Sequence, residues 1–190
     1  MAGEERFTQG TVNEALSRGE DRASMQLCAA GFSVIGKPKP TPAQLRDPQR
    51  YNGGMQNQRI GRLQTTDLLF RFSDSRCTTM AEKFGGAWWF DRECMATIRS
   101  ASRMENCSFA AAARSYLGIL HEWGDMKNLV GGLLTADFWC FRGLTAGVDS
   151  ARLKLSGPLR TDVMQIFVPG DLSLGYFTQA RDDILTSLLV

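Results

Sequence analysis

Three prolines alternate with other residues near position 40 and divide the chain. The run Gly36-Lys-Pro-Lys-Pro-Thr-Pro42 cannot continue a helix or enter the interior of a sheet, because proline has no amide hydrogen and a fixed φ angle. Such a run favours an extended linker. We therefore predict a partly mobile N-terminal arm over residues 1–60, which contains this linker, and a folded domain over residues 61–190.

The length and charge of the chain favour one soluble domain. Its 190 residues are 43% hydrophobic, which is enough for a core. The apolar stretches are shorter than a membrane helix requires, and residues 1–18 contain no signal-peptide core. We expect a cytoplasmic protein as synthesised, and any delivery into another cell would use no cleavable signal peptide. The 22 basic and 20 acidic residues give a net charge of +2, which favours neither a membrane nor a nucleic-acid partner.

The cysteines and the single histidine point away from disulfides and metals. The five cysteines are odd in number, widely spaced and without a C-x-x-C pair, so we expect reduced thiols. Cys94 and Cys140 lie in apolar contexts and are predicted to be buried. His121 has no companions at metal-ligand spacing, so no metal site is expected.

Hydrophobic periodicity predicts an α+β fold, with strands at both ends of a helical middle. Asp91 is a candidate N-cap for the first helix, and Asn106 or Ser108 for the second. The predicted strands are Asp67–Phe72, Ala87–Phe90, 127–134, 137–141 and Asp162–Val168, and the predicted helices are 92–103, a second helix to about residue 120, and Thr178–Leu189.

Several common enzyme motifs are absent from the sequence. It contains neither the P-loop pattern nor G-x-G-x-x-G, and it lacks the G-x-S-x-G nucleophile elbow. An enzyme without these motifs would act by holding a reactive substrate rather than by supplying a strong nucleophile.

Three segments in a fixed order carry the functional hypothesis. The first is a strand with a central arginine, Leu68-Leu-Phe-Arg-Phe-Ser73. The second is Gly85-Gly-Ala-Trp-Trp-Phe-Asp91, which runs into a helix. The third is a late strand, Asp162-Val-Met-Gln-Ile-Phe-Val-Pro169, with a polar residue near its start.

In these segments the chain resembles the ADP-ribosyltransferase superfamily, in its bacterial toxin and effector branches. Leu69-Phe70-Arg71 matches the family's "L-[FY]-R" strand, and Gly86-Ala-Trp-Trp-Phe-Asp91 matches its "G-x-[WF]-[WF]-[ST]" segment, with Phe90 where Ser or Thr is usual. Gln165 falls near the family's late-strand glutamate. The resemblance covers roughly residues 65–170 and implies a split β-sandwich with flanking helices.

The resemblance also implies a substrate and a site. NAD would be the substrate, no metal would be needed, and a protein or other macromolecule would be the acceptor, with a cognate inhibitor as a further partner. Arg71 would grip phosphate or ribose oxygens, and an aromatic ring would stack on the cationic nicotinamide. The implied cofactor-binding residues are Arg71, Ser73, Trp88, Trp89 and Phe90, and the implied catalytic residues are Gln165 and Asp162.

Other interpretations stay open at this point. Arg71 could instead pair with Asp67 or Asp74, and the tryptophans could belong to the core. Without the glutamate, the chain could be a pseudoenzyme or a non-enzymatic interaction protein. A nucleic-acid binder would use the arginines together with the interleaved aromatic residues. These arginines are Arg62, Arg71, Arg76, Arg99 and Arg103.

Overall fold

The computed structural model of the protein describes residues 55–121, 124–145, 163–168 and 177–180. Over these ranges the chain combines helices with antiparallel strands, which confirms the predicted α+β class. None of the described helices has both the length and the apolar composition that a bilayer-spanning helix requires. In chain order the elements are β1 (Met55–Leu63), β2 (Leu68–Ser73), α1 (Met80–Phe84), β3 (Trp88–Trp89), α2 (Arg92–Met104), α3 (Phe109–Leu117), β4 (Asn128–Leu134), β5 (Phe138–Thr145), β6 (Met164–Phe167) and β7 (Phe177–Gln179).

The strands form two antiparallel sheets that meet at one residue pair. The first sheet has the order β1-β5-β6-β3 and the second the order β2-β4-β7. Between them, the amide of Phe70 donates to the carbonyl of Phe90 at 2.8 Å, and the amide of Phe90 donates back at 2.9 Å. This bridge joins β2 of the second sheet to the residue that follows β3 of the first.

Two helices cover one face of these strands, and their caps explain where they begin. The carboxylate of Asp91 accepts from the amide of Cys94 at 3.0 Å, as predicted for an N-cap. Ser108, rather than Asn106, caps α3 by accepting from the amide of Ala111 at 3.2 Å. Cys94, Met95, Ile98 and Ala101 all lie buried on one face of α2, which confirms the predicted periodicity.

Buried residues form two cores, one on each face of the strands. The helix-side core joins α2 and α3 to alternate residues of β2, including Leu68 and Phe70. The inter-sheet core takes the intervening residue Leu69 together with Trp89, Ile166 and residues of both sheets. Because neighbouring residues of a strand point to opposite faces, membership of one core or the other tells which way each side chain points.

The structure departs from the sequence predictions at both ends. β1 begins at Met55, inside the range 1–60 predicted as an arm, and it pairs with β5 as far as Leu63. The rest of the predicted arm lies outside the described residues. The predicted helix Thr178–Leu189 is wrong at its start, where Thr178 pairs with Leu133 in β7, because sheet pairing outweighs local helical periodicity.

Candidate functional site

The candidate site lies in the inter-sheet core, beside the bridge between β2 and β3. Arg71 follows Phe70 in β2, and Trp89, the last residue of β3, directly precedes Phe90, so both stand on the same side of the bridge. Arg71 shares the face of Leu69 by strand alternation. The Cζ atom of Arg71 lies 5.5 Å from the centre of the Trp89 ring. The structure therefore brings together two of the predicted site residues.

The Arg71 guanidinium fills the space beside a glycine. A Cβ atom on Gly86 would lie only 2.7 Å from Nη2 of Arg71 and 2.8 Å from its Cζ. Gly86 also has a φ of 116°, which side chains rarely adopt. Nε and Nη1 of Arg71 are inaccessible to solvent. The guanidinium is thus held between the backbone of Gly86 and the ring of Trp89.

Trp89 is a wall of this site and is not free to stack on a ligand. It is 1% exposed. Phe177 stacks on it at a centroid distance of 4.7 Å and an interplanar angle of 24°. Its Nε1 donates to the carbonyl of Gly86 at 3.0 Å. Arg71 and Phe177 already cover the Trp89 ring, so the geometry does not favour stacking of nicotinamide on it.

Ser73 adds an unsatisfied hydroxyl to the same face. It stands two residues after Arg71 on β2, so both side chains point the same way. The residue is 6% exposed, and its Oγ has no hydrogen-bond partner in the described part of the chain. A buried hydroxyl without a partner is costly, and a ligand oxygen would relieve that cost.

The other predicted site residues do not join this group. Trp88 points to the opposite face of β3 and lies edge-on to Phe167 at 5.0 Å. Phe90 is buried in the helix-side core, against Phe72. Gln165 follows the same alternation. The face that it shares with Val163 is turned away from Ile166 and Trp89.

The side chain of Gln165 is engaged elsewhere. It is 6% exposed, and its Nε2 donates to the carbonyl of Leu117, at the end of α3, at 2.6 Å. The expected grouping of Gln165 with Arg71 therefore does not occur, because β6 turns that side chain toward the helices. Asp162, the other predicted catalytic residue, lies outside the described residues.

The two acids considered as structural partners of Arg71 have other partners. Asp74 binds Arg76, whose Nε lies 2.6 Å from Oδ1. Oδ2 of Asp67 accepts from the amide of Gln64 at 2.9 Å. The structure therefore gives no support to an ion pair between Arg71 and either acid.

A polar depression of about 450 Å³ lies across the bridge from Arg71. Residues of both charges line it, but two of its acids are committed to the fold. Asp91 caps α2 and lies 3.4 Å from Nη2 of Arg142, while Asp67 holds the turn before β2. Its lining consists of Thr66–Leu69, Asp91–Glu93, Leu133 and Arg142.

Two of the four cysteines in the described part of the chain are buried thiols. Cys77, Cys94, Cys107 and Cys140 are free thiols. Cys94 and Cys140 are buried, as predicted, and burial raises the pKa of Cys140 to about 12. Burial also raises the pKa of Cys94. Within the described ranges, no three His, Cys, Asp or Glu residues cluster as metal ligands would.

Sequence reasoning missed the residues that support Arg71. Gly86 enters the sequence prediction only as part of a motif, although a glycine at the start of a strand is a signal of close backbone approach. Phe84 and Phe177 gave no signal, because nothing in the sequence reveals which distant rings meet.

Comparison with known proteins gives limited information. No protein-family profile matches the sequence, and no curated protein matches it. The chain is similar in structure to Rhs1-CT, solved in complex with its cognate immunity protein RhsI1, with 12% identity and a TM-score of 0.46 over 76% of this chain and 95% of that chain. It is also similar to Tse6, solved in complex with Tsi6, with 14% identity and a TM-score of 0.40 over 86% of this chain and 96% of that chain. Likenesses this distant carry no argument about activity, so the functional argument rests on the site.

Proposed function

We propose that this chain is an NAD-dependent ADP-ribosyltransferase of the toxin or effector kind, which modifies a macromolecular acceptor. The observation that carries the proposal is the fixed guanidinium of Arg71, held between Gly86 and Trp89 beside the unsatisfied hydroxyl of Ser73. The sequence resemblance adds the reaction class. The same resemblance suggests a cognate protein inhibitor as a second partner.

The chemistry of NAD suits these two side chains. Its pyrophosphate is anionic, and a guanidinium binds such oxygens by charge-assisted, often paired, hydrogen bonds. A site that excludes water strengthens these bonds. The hydroxyl of Ser73 would donate to a phosphate oxygen or accept from a ribose hydroxyl.

The reaction would break the N-glycosidic bond between nicotinamide and ribose, and nicotinamide would leave with the bonding electron pair. A new bond would form from the same ribose carbon to a nucleophilic atom of the acceptor, which would give up its proton. Positive charge develops on the ribose as the bond to nicotinamide breaks, and a nearby carboxylate would stabilise it. Gln165 supplies no group to this cleft while its amide is bound to Leu117. Asp162 is the acid proposed for the step, and an Asp162→Asn chain that released nicotinamide at the parent rate would remove that assignment.

The test of the proposal is the affinity for NAD of Arg71 variants. Two charge-assisted hydrogen bonds are worth about 1.5–3 kcal/mol each, so Arg71→Ala should weaken NAD binding about a hundredfold or more. Because Arg71 is packed against Trp89, this variant should also lose stability. Arg71→Lys keeps the charge but lacks the planar fork, and it should bind NAD more weakly than the parent at a smaller cost to the fold.

Arg62→Ala is the matched control, because Arg62 lies over Trp139 and pairs with Asp137 at an exposed position. Its NAD affinity should equal that of the parent in isothermal titration calorimetry. A parent chain that does not bind NAD, or an Arg71→Ala chain that binds it unchanged, would refute the proposal.

A second candidate is a non-enzymatic interaction protein that uses the same cleft for binding alone. The hydrogen bond from Gln165 to the carbonyl of Leu117 favours this second function, because it leaves the Gln165 amide turned away from Arg71. The two functions separate in one measurement: NAD binding without release of nicotinamide, even with a cell lysate as a source of acceptors, indicates the binder.

A further inference from the structure

Three aromatic rings pack tightly beneath Arg71. Phe84, Trp89 and Phe177, here called the aromatic triad, come from α1, β3 and β7. Their centroids lie 4.7 Å apart for Trp89 and Phe177, 5.1 Å for Phe84 and Phe177, and 6.0 Å for Phe84 and Trp89. Gly132 of β4 allows this packing, since a Cβ there would lie 2.7 Å from ring atoms of both phenylalanines.

The triad leaves the indole of Trp89 with a single orientation. Rings from two other elements contact it, and its Nε1 is tied to the carbonyl of Gly86 at 3.0 Å. Packed interiors do not deform continuously, so a ring held at this many points is a rigid surface. Its hydrogen bond also fixes the backbone of Gly86, which is the second surface against which Arg71 rests.

A guanidinium over an aromatic face is attracted by the ring and keeps its N–H donors in its own plane. The orientation of the indole therefore sets the directions in which Arg71 can donate.

We infer that Trp89 is a positioning residue, which fixes the donor directions of Arg71 for an oxyanion of the ligand and does not itself contact the ligand. That this oxyanion is the NAD pyrophosphate rests on the proposed function. The packing of Arg71 on Trp89 is independent of it. Trp89→Phe keeps a ring on Phe177 but lacks the Nε1 donor. Trp89→Leu lacks both the donor and the ring beneath Arg71.

Two readouts on the full chain test this role. The first is the Nε–Hε NMR resonance of Arg71, identified by its loss in Arg71→Lys. A ring beneath the guanidinium shifts this resonance, and we expect Trp89→Leu to move it toward the positions of exposed arginines. The second is the affinity for NAD, which we expect to fall roughly tenfold in Trp89→Phe, as the loss of one hydrogen bond would produce, and further in Trp89→Leu.

A control variant separates positioning from stability. Ile98→Val lowers stability from the helix-side core, which does not contain Trp89. It should leave the Arg71 resonance and the NAD affinity as in the parent.

An unchanged Arg71 resonance in both Trp89 variants, with only the melting temperature lowered, would make Trp89 a core residue and overturn the inference. If Trp89→Leu fails to fold, Trp89→Phe alone decides, through resonance and affinity. A parent that binds no NAD while the resonance responds as expected would remove the proposed function and keep the positioning role.

Discussion

At the scale of single residues, the position of the Arg71 side chain accounts for the glycine at position 86. The guanidinium occupies the volume that any side chain at position 86 would need. The glycine also holds a positive φ, so two physical requirements act on one position. The Gly-Gly pair before the tryptophans is therefore a packing feature of the site rather than only a turn.

Gly86→Ala should damage stability and ligand binding together. The methyl group strains the backbone by about 1–2 kcal/mol and displaces the guanidinium, so NAD affinity should fall roughly tenfold. Urea unfolding and calorimetric titration measure the two effects. Gly61→Ala is the control, since its Cβ would approach the flexible side chain of Arg142 most closely, at 3.1 Å, and would lie in ordinary contact with Sγ of Cys140 at 3.6 Å. If Gly86→Ala bound NAD as tightly as the parent, the Arg71 side chain would be able to bind NAD from another position.

The sequence predicted which residues approach the site better than it predicted which way they point. Arg71, Ser73 and Trp89 share one face, whereas Trp88, Phe90 and Gln165 point to the other. Motif matching counts positions along the chain, but a strand sends alternate side chains to opposite faces. For two adjacent tryptophans only the tertiary pairing decides which one packs beside Arg71.

At the scale of elements, two turns clamp the end of β2 that carries Ser73. Oδ1 of Asp74 accepts from the amide and Nε of Arg76, and its Oδ2 accepts from the amide of Asp125 at 3.2 Å. Nδ2 of Asn128 donates to the carbonyl of Asp74 at 2.8 Å. The hydrogen bonds from Arg76 are the main reason why the pKa of Asp74 lies well below its ordinary value.

The stability that Asp74 contributes should depend on pH. Because its pKa is lower in the folded chain than in the unfolded chain, the contribution is present above the ordinary carboxylate pKa and disappears as the pH falls through the folded value. Asp74→Asn should therefore lower the melting temperature most above about pH 5, and the difference should shrink as the pH falls below about 4. In a chain that already carries Arg76→Ala, the Asp74→Asn substitution should lower the melting temperature less. If the difference in melting temperature did not depend on pH, the role of Asp74 would lie in its shape rather than its charge.

Elements with strong local signals were predicted closely. The caps Asp91 and Ser108 and the buried face of α2 follow from propensity and periodicity. β1 and α1 were missed. Glycine, asparagine and glutamine weaken the pattern of β1, and α1 has only five residues. These elements are stabilised chiefly by pairing and packing that a local pattern cannot show.

At the scale of the whole molecule, β1 sets the described beginning of the folded unit. Leu63 is fully buried, Met55 is nearly so, and the strand pairs along β5. The predicted boundary at residue 60 therefore falls within a strand that the inter-sheet core needs.

Shortening the chain should distinguish the arm from the fold. A chain without residues 1–42 is expected to keep a cooperative thermal transition, because the proline run separates those residues from β1. A chain without residues 1–63 should lose it, since burying Leu63 and pairing β5 contribute several kcal/mol. Circular dichroism melting measures both. Loss of the transition in the first truncation would show that part of residues 1–42 is needed for the fold.

The shared volume of Arg71 and Gly86 has a consequence for the descent of such chains. Positions 71 and 86 cannot vary independently. A chain with a side chain at position 86 must lose the arginine at position 71 or hold it in another conformation. A chain without that arginine has room for a side chain at position 86. Paired substitution at these two positions, rather than overall identity, would then mark distant relatives that have lost this packing of arginine on glycine while keeping the architecture.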